Sequence, residues 1–387
     1  MGRTSAKTIV TELLNTAGIQ VNGPNPYDIQ VNNDNFYTRI LNEGALGLGE
    51  SYMDHWWDCK KPDQFIERVL RANLEDKIKT NKLWLLKTIL LKIFNLQTKK
   101  RAFQVGEKHY DLGNDLFKRM LDSRMVYTCG YWKNADNLED AQVNKLELTC
   151  KKLMLEPGMR LLDIGCGWGS MAKYAAENFG VHVVGITISK EQAEYAKENC
   201  KGLPVEIRLQ DYRDVNEKFD RIVSLGMFEH VGHLNYRTYM QVAHRCLTDD
   251  GIFLLHTIGD NISGVTTNEW IAKYIFPNGL LPSITQIGKA SEKLLVMEDW
   301  HNFGADYDKT LMAWHENFIQ HWNELKDNYN DRFYRMWNYY LLSCAGSFRA
   351  RYTQLWQIVF SKHGLMGGYQ APKRYFQMEK VSSRDYA

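Results

Sequence analysis

The sequence has no long apolar run, no paired cysteine motif and almost no net charge, and each absence excludes a class of protein. Its most apolar stretch, Leu83 to Phe94, is short and broken by Lys87 and Lys92, so no transmembrane helix is expected. Residues 1–20 lack the continuous apolar segment of a secretory signal, so none is expected there. The seven cysteines, at 59, 129, 150, 166, 200, 246 and 344, are odd in number and show no C-x-x-C spacing. Free thiols in a reducing cytoplasm fit that pattern. A net charge of +2 offers no bulk attraction to nucleic acid, so no nucleic-acid partner is expected. Internal repeats and low-complexity segments are also missing.

What is present describes a globule with a sizeable core. Hydrophobic residues make up 44% and charged residues 24%, and 387 residues suffice for two domains or one large elaborated one. Aromatic content is high, with 11 Trp and 21 Tyr.

Residues 1–90 read as a small, mainly helical domain. Thr8 to Ala17 and Pro62 to Leu74 have helical spacing, Pro62 suits a first turn, and Asn22 to Pro26 is turn-rich. Within it, residues 44–57 set three glycines ahead of Tyr52, His55, Trp56 and Trp57. Close helix packing is the first reading, and a surface meeting lipid or a partner the second. From Lys82 to Arg101 apolar residues interleave with lysines, which suits either contact with an anionic bilayer or a dimer or interdomain helix with solvated lysines. Residues 91–107 read as a basic linker, and 108–387 as the main domain. There, strand candidates 159–164, 181–188, 204–209, 219–225 and 251–257 alternate with helical stretches 170–178, 189–200 and 235–246. This predicts an α/β fold, a parallel sheet with helices on both faces and ligands beyond the strand C-termini. Past 260 the pattern turns helical and aromatic, as a cover over the site.

The first strand runs into Asp163-Ile164-Gly165-Cys166-Gly167-Trp168-Gly169. A glycine-spaced turn feeding a helix lets main chain approach a ligand closely. The acid before the glycines suits hydroxyl or amine donors and repels a pyrophosphate. A nicotinamide dinucleotide site expects G-x-G-x-x-G and an acid about 20 residues on. Here the spacing is G-x-G-x-G, and the second strand ends in Thr187-Ile188-Ser189 without an acid. That favours S-adenosylmethionine, although most of its enzymes also place an acid there. Thr187, Ser189 and Gln192 are neutral substitutes. After the third strand, Asp211 offers a carboxylate to an adenine amine and Tyr212 a ring, with Arg213 beside them; a turn or helix cap is the plain alternative for Asp211.

The fourth strand leads to Glu229 and the fifth to His256. Each alone reads as structural, but together they suggest a pair that handles a proton or holds an anion. His230 and His233 have metal-like spacing without a second ligand cluster, so no metal is expected. Cys129, within Tyr127-Thr128-Cys129-Gly130-Tyr131-Trp132, and Cys344, in a small-residue helical stretch, read as packing by default.

These residues resemble the mycolic acid cyclopropane synthase family of S-adenosylmethionine-dependent methyltransferases, in particular its bacterial phospholipid branch. The resemblance rests on 46–54, 108–115, the glycine turn, 227–232, 256–259, 298–307 and 348–351. The mycolic-acid relatives are similar only from about residue 105 onward. The resemblance implies a Rossmann-like class I methyltransferase sheet with a helical cover. It also implies methylene transfer to a cis-unsaturated acyl chain through a carbocation. It assigns the sulfonium donor to Tyr127, Thr128, Asp163, Gly165, Cys166, Gly167, Gly169, Thr187, Ile188, Ser189, Gln192, Asp211, Tyr212 and Arg213. It assigns a bound bicarbonate base to Cys129, Glu229, His256, Tyr307 and the main chain of Ile258, and marks Cys344 as an active-site group. Aromatic faces would shield the cation. Unsaturated phospholipids in the bilayer, peripheral contact at the inner face of the membrane, a cytoplasmic location and a homodimer follow from the same resemblance. It promotes 44–57 and 82–101 to membrane-facing candidates. The alternative is a methyltransferase that leaves a simple methyl group on a lipid or small molecule.

Overall fold

The computed structural model describes residues 5–74 and 113–372. The apolar and basic 82–101 segment, the 91–107 linker and both expected domain borders lie outside the described residues. The N-terminal segment opens with α1 (Ala6–Thr16), started by the Ser5 hydroxyl accepting from the Thr8 amide. It continues through β1 (Gln30–Val31), α2 (Asn35–Met53, kinked at Gly44), β2 (Trp57–Asp58) and α3 (Pro62–Arg71). Pro62 occupies the first turn of α3, as expected. Next come α4 (Asn114–Met120) and α5 (Leu138–Lys152), the latter capped by Asn137.

The expected alternation then appears within a residue or two: β3 (Arg160–Ile164), α6 (Ser170–Phe179), β4 (His182–Thr187), α7 (Lys190–Asn199), β5 (Val205–Leu209), β6 (Phe219–Leu225) and α8 (Tyr236–Cys246). β7 (Leu247–Asp260) is longer than its 251–257 signal. After it come α9 (Glu269–Tyr274), α10 (Ile284–Ser291), β8 (Val296–Asn302), α11 (Ala305–Leu325), α12 (Asp331–Arg349) and β9 (Thr353–Ser361).

The main sheet has the order β5-β4-β3-β6-β7-β9-β8. Its first five strands are parallel; β9 joins antiparallel to β7, and β8 antiparallel to β9. The purely helical reading past residue 260 is therefore corrected. β9 is buried on both faces and gives no alternation, while β8 is half-exposed and polar, so neither carries a period-2 signal.

Side chains alternate between two cores. Leu162, Ile164, Phe253, Leu255, Ile358 and Phe360 pack with α8. Leu161, Val223, Leu254 and Val359 pack on the α5 and α6 side. A third cluster joins the N-terminal segment (Val10, Phe36, Trp57, Phe65) to Trp314, Trp337 and Leu341 of α11 and α12. The aromatic excess is concentrated there.

Within 44–57 the burial is mixed: Ala45, Leu46, Leu48 and Trp56 keep partial exposure and His55 is exposed. Gly47, Gly49, Glu50, Ser51, Tyr52, Met53 and Trp57 are buried. A Cβ on Gly49 would sit 2.4 Å from the Trp270 ring, so the glycine is a notch for that indole. Close packing, the first reading, describes the buried half of the segment, and the membrane-facing reading of the rest belongs with the proposed function.

Candidate active site

Strand order reverses direction at β3, with β4 on one side and β6 on the other, which opens a crevice at the C-terminal ends of β3 and β6. The turn after β3 has Gly165, Gly167 and Gly169 at φ of 82°, 55° and 87°, a region L side chains avoid. A Cβ on Gly165 would also strike Met227 at 2.8 Å. The amides of Gly165 and Cys166 donate to Ile186 O at 2.9 and 3.0 Å, locking the turn to β4.

A cavity of about 180 Å³ fills the crevice. Every residue expected to hold the donor lines it except Gly169: Tyr127, Thr128, Asp163, Gly165, Cys166, Gly167, Thr187, Ile188, Ser189, Gln192, Asp211, Tyr212 and Arg213. Gly169 instead closes the turn, its amide donating to Cys166 O. Asp163 is buried, its Oδ2 has no hydrogen-bond partner, and burial lifts its pKa to about 7 against the opposing pull of Lys145. An unpaired carboxylate oxygen at the cavity wall fits a ligand that donates hydrogen bonds. The Thr187 hydroxyl donates to Gln192 Oε1 at 3.0 Å, and Ser189 caps α7. Asp211 lines the cavity and caps the turn that follows it while it accepts from Arg213. The Tyr212 ring lines the cavity and packs on Tyr239 with ring centroids 4.9 Å apart.

Beyond this cavity lies the second group of residues. Glu229 is buried, with Oε1 accepting from the Ile258 amide at 2.7 Å and Oε2 without a partner among the described residues. Burial raises its pKa to about 7. The Ile258 amide, expected to hold an anion, therefore orients this carboxylate. His256 is buried, its Nε2 also lacks a partner, and burial followed by Lys145 and Lys152 holds its pKa well below the usual imidazole value. Burial pushes the Tyr307 hydroxyl well above the phenol range, and Cys129, Tyr127, Glu229 and Cys344 add to that push, so all five groups share one neighbourhood. Cys129 is buried; its thiol donates to Gly130 O at 3.2 Å, and burial keeps it protonated. Burial raises the Cys344 thiol to about 12, so it is no thiolate nucleophile. Rings close this neighbourhood: Tyr127 lies 5.2 Å from Trp314 and bonds Tyr340 between hydroxyls at 2.8 Å, and Tyr307 lies 4.5 Å from Phe348. His230 faces the donor cavity, and among the described residues no three metal-ligating side chains converge.

Two participants escaped the sequence reading. Lys145 lines the cavity, donates to Thr128 Oγ1 at 3.0 Å and is lowered to about 8 by burial. Pro277 lines it from the loop after α9. The signal for Lys145 was available: Gln142, Lys145, Thr149 and Lys152 recur at helical spacing, and all four are buried. A polar stripe on the buried face of a helix marks a polar site.

Comparisons with known proteins agree with this geometry. Residues 97–358 match the family model described as mycolic acid cyclopropane synthetase. The cyclopropane-fatty-acyl-phospholipid synthase of Escherichia coli (strain K12) is 60% identical over 354 residues, 92% of this chain and 93% of that protein. The solved structure of the cyclopropane synthase MmaA2 from Mycobacterium tuberculosis is 33% identical with a TM-score of 0.65, covering 70% of this chain and 100% of that one. That of mycolic acid cyclopropane synthase CmaA1, complexed with SAH and CTAB, is 33% identical with a TM-score of 0.64, covering 67% and 98%. The mycobacterial proteins thus lack a counterpart to part of this chain, whereas the E. coli relative spans nearly all of it. The chain belongs to the mycolic acid cyclopropane synthetase family and has its class I, Rossmann-like methyltransferase fold.

Proposed function

We propose that this protein transfers a methylene group from S-adenosylmethionine to the cis double bond of unsaturated phospholipid acyl chains, forming a cyclopropane. The observation that carries this reading is that two buried polar atoms, Glu229 Oε2 and His256 Nε2, each have no hydrogen-bond partner among the described residues, with the cavity-lining Gly226 donating its amide to His256 O and Met227 and His230 of the cavity flanking Glu229 in sequence. Methyl transfer to a heteroatom needs no such pair. Addition of the sulfonium methyl to an alkene leaves a carbocation, and loss of one proton from the new methyl closes the ring. The aromatic faces of Tyr127, Trp314 and Tyr340 stabilise positive charge, and their enclosure excludes water that would trap the cation.

The orphaned atoms fit a small anion that carries its own hydrogen. Glu229 accepts, the imidazole of His256 donates, and Cys129 and Tyr307 border the same space. Bicarbonate held there would supply the base for the departing proton. Because the alkene lies inside a bilayer lipid, the reading includes peripheral contact with the inner face of the membrane, in the cytoplasm. Among the described residues no helix is long and apolar enough to cross a membrane. The homodimer implied by the resemblance belongs to the same proposal and is checked by light scattering.

The test incubates the purified protein with S-adenosylmethionine and vesicles of cis-unsaturated phospholipid. Mass spectrometry should find one CH₂ added per double bond with the alkene consumed. A branched or O-methyl product rejects the reading in favour of simple methyl transfer.

A further inference from the structure

A row of three polar side chains crosses the sheet beneath α5. Antiparallel register pairs His256 of β7 with Gln357 of β9, and Gln357 in turn with His301 of β8. All three are buried, and Thr149 and Lys152 reach them from α5. Lys152 Nζ donates to Gln357 Oε1 at 2.7 Å and to His301 Nδ1 at 3.0 Å. Gln357 Nε2 lies 3.1 Å from Thr149 Oγ1 and 3.3 Å from His256 Nδ1.

Donor and acceptor capacity leaves this row one self-consistent arrangement. An ammonium has donors only, so the Gln357 oxygen must face Lys152. The Thr149 hydroxyl hydrogen goes to Lys145 O at 2.7 Å, so its oxygen accepts. The amide nitrogen therefore faces both Thr149 and His256, and both its hydrogens are used. An NH₂ group cannot accept, so His256 Nδ1 must be the acceptor. In a neutral imidazole that puts the single proton on Nε2, the atom without a partner.

We infer that Gln357, oriented by Lys152 and Thr149, is a positioning residue that fixes His256 as its Nε2-H tautomer, so that the ring presents a donor to the site where the reaction's proton is lost. Gln357 touches neither donor cavity nor Glu229 and acts only through the imidazole. The inference rests on the proposed reading of that site for its consequence in turnover. The tautomer itself follows from the hydrogen bonds alone.

The experiment uses full-length protein selectively labelled with ¹⁵N-histidine and saturated with S-adenosylhomocysteine. The ¹⁵N shifts of His256 should show an unprotonated Nδ1 and a protonated Nε2. The reverse pattern in wild type overturns the inference whether or not any variant folds. Gln357→Glu keeps shape and the Lys152 contact but offers His256 a carboxylate acceptor, which should move the proton to Nδ1. Turnover should then fall by about 10²-fold or more, the scale of losing a correctly placed proton donor or acceptor. Affinity for S-adenosylhomocysteine should change by less than about 3-fold, because Gln357 does not line the donor cavity. A variant with wild-type turnover, or with the proton still on Nε2, overturns the inference. The anion reading is separated by measuring wild-type rate in carbonate-free buffer with and without added bicarbonate. Should the rate ignore bicarbonate while Gln357→Glu still flips the ring and loses turnover, the anion reading falls and the tautomer assignment stands.

Discussion

Glu229 holds a carboxyl group against which no cation lies among the described residues, and the consequence is a pH dependence of stability with a definite sign. Burial moves its pKa from 4.5 to about 7, so the ionised form is disfavoured in the folded state relative to the unfolded one. Its contribution is fully present below about pH 4.5 and is lost as pH rises through 7, on the order of 3 kcal/mol in all. Asp163, also raised to about 7, behaves the same way, moderated by Lys145. Glu229→Gln keeps an oxygen for the Ile258 amide and removes the charge. Without ligands, it should melt above the parent at pH 8 and together with it near pH 4.5, as followed by thermal denaturation across that range. Cofactor affinity should be kept while turnover drops about 10²-fold or more, since the carboxylate's acceptor oxygen is gone. A variant that turns over like wild type removes Glu229 from the reaction.

The elements that shape the site do so through faces that a one-dimensional pattern describes poorly. α5 looks like an ordinary charged helix, yet it buries Gln142, Lys145, Thr149 and Lys152 along one stripe. Its first half holds Thr128 through Gln142 and Lys145, and its second half holds Gln357 through Thr149 and Lys152. One helix thereby sets both the donor cavity and the His256 ring. α2 supplies the notch at Gly49 for Trp270, and α9, which carries that indole, is also tied back by Lys273 and Tyr274 to Glu50 of α2. The loop leaving α9 brings Pro277 to the cavity, and the Leu280 amide donates to Glu229 O at 2.8 Å. Gly49→Ala should cost about 1–3 kcal/mol in urea unfolding, because the methyl can be accommodated only by moving a fully buried indole. An unchanged unfolding midpoint would show that α2 and α9 are not locked together.

Across the whole molecule, the N-terminal segment is joined to the catalytic part by more than apolar contact. Arg349 of α12 bonds both Asp63 of α3 and Asp308 of α11, and Arg335 of α12 bonds the Tyr52 and Trp57 carbonyls and Asp58. Asp63 is buried, so removing its cation strands a charge. Arg349→Met should lower stability by about 2–4 kcal/mol in chemical denaturation. The loss should lessen when Asp63→Asn is added, and equal additive losses would show that the pair is not coupled. The fold class was legible at this level because five strand runs and three helices between them repeat at a regular spacing. The small helical N-terminal segment was legible in its two amphipathic helices but not in its packing, since the partner surface of Trp57 and Phe65 lies on helices nearly 300 residues away in sequence.

By itself, the sequence determined whatever depends on neighbours a few positions apart. The alternation of strand and helix follows from hydrophobic period, and the turn at 163–169 from glycines that adopt its left-handed backbone without strain. The expected donor residues at 163–169, 187–192 and 211–213 follow from their places just past strand ends, whereas Tyr127 and Thr128 come from the family resemblance. Tertiary structure alone decided whatever depends on what packs opposite a residue. It set Gly49 of α2 against the Trp270 indole, and it inserted β9 beside β7 so that Gln357 meets His256. It also left Glu229 Oε2 without a partner while giving Oε1 the Ile258 amide. The physical reason is that burial of a polar atom is a property of a pair or a cluster, and here its members come from segments separated by tens to hundreds of residues.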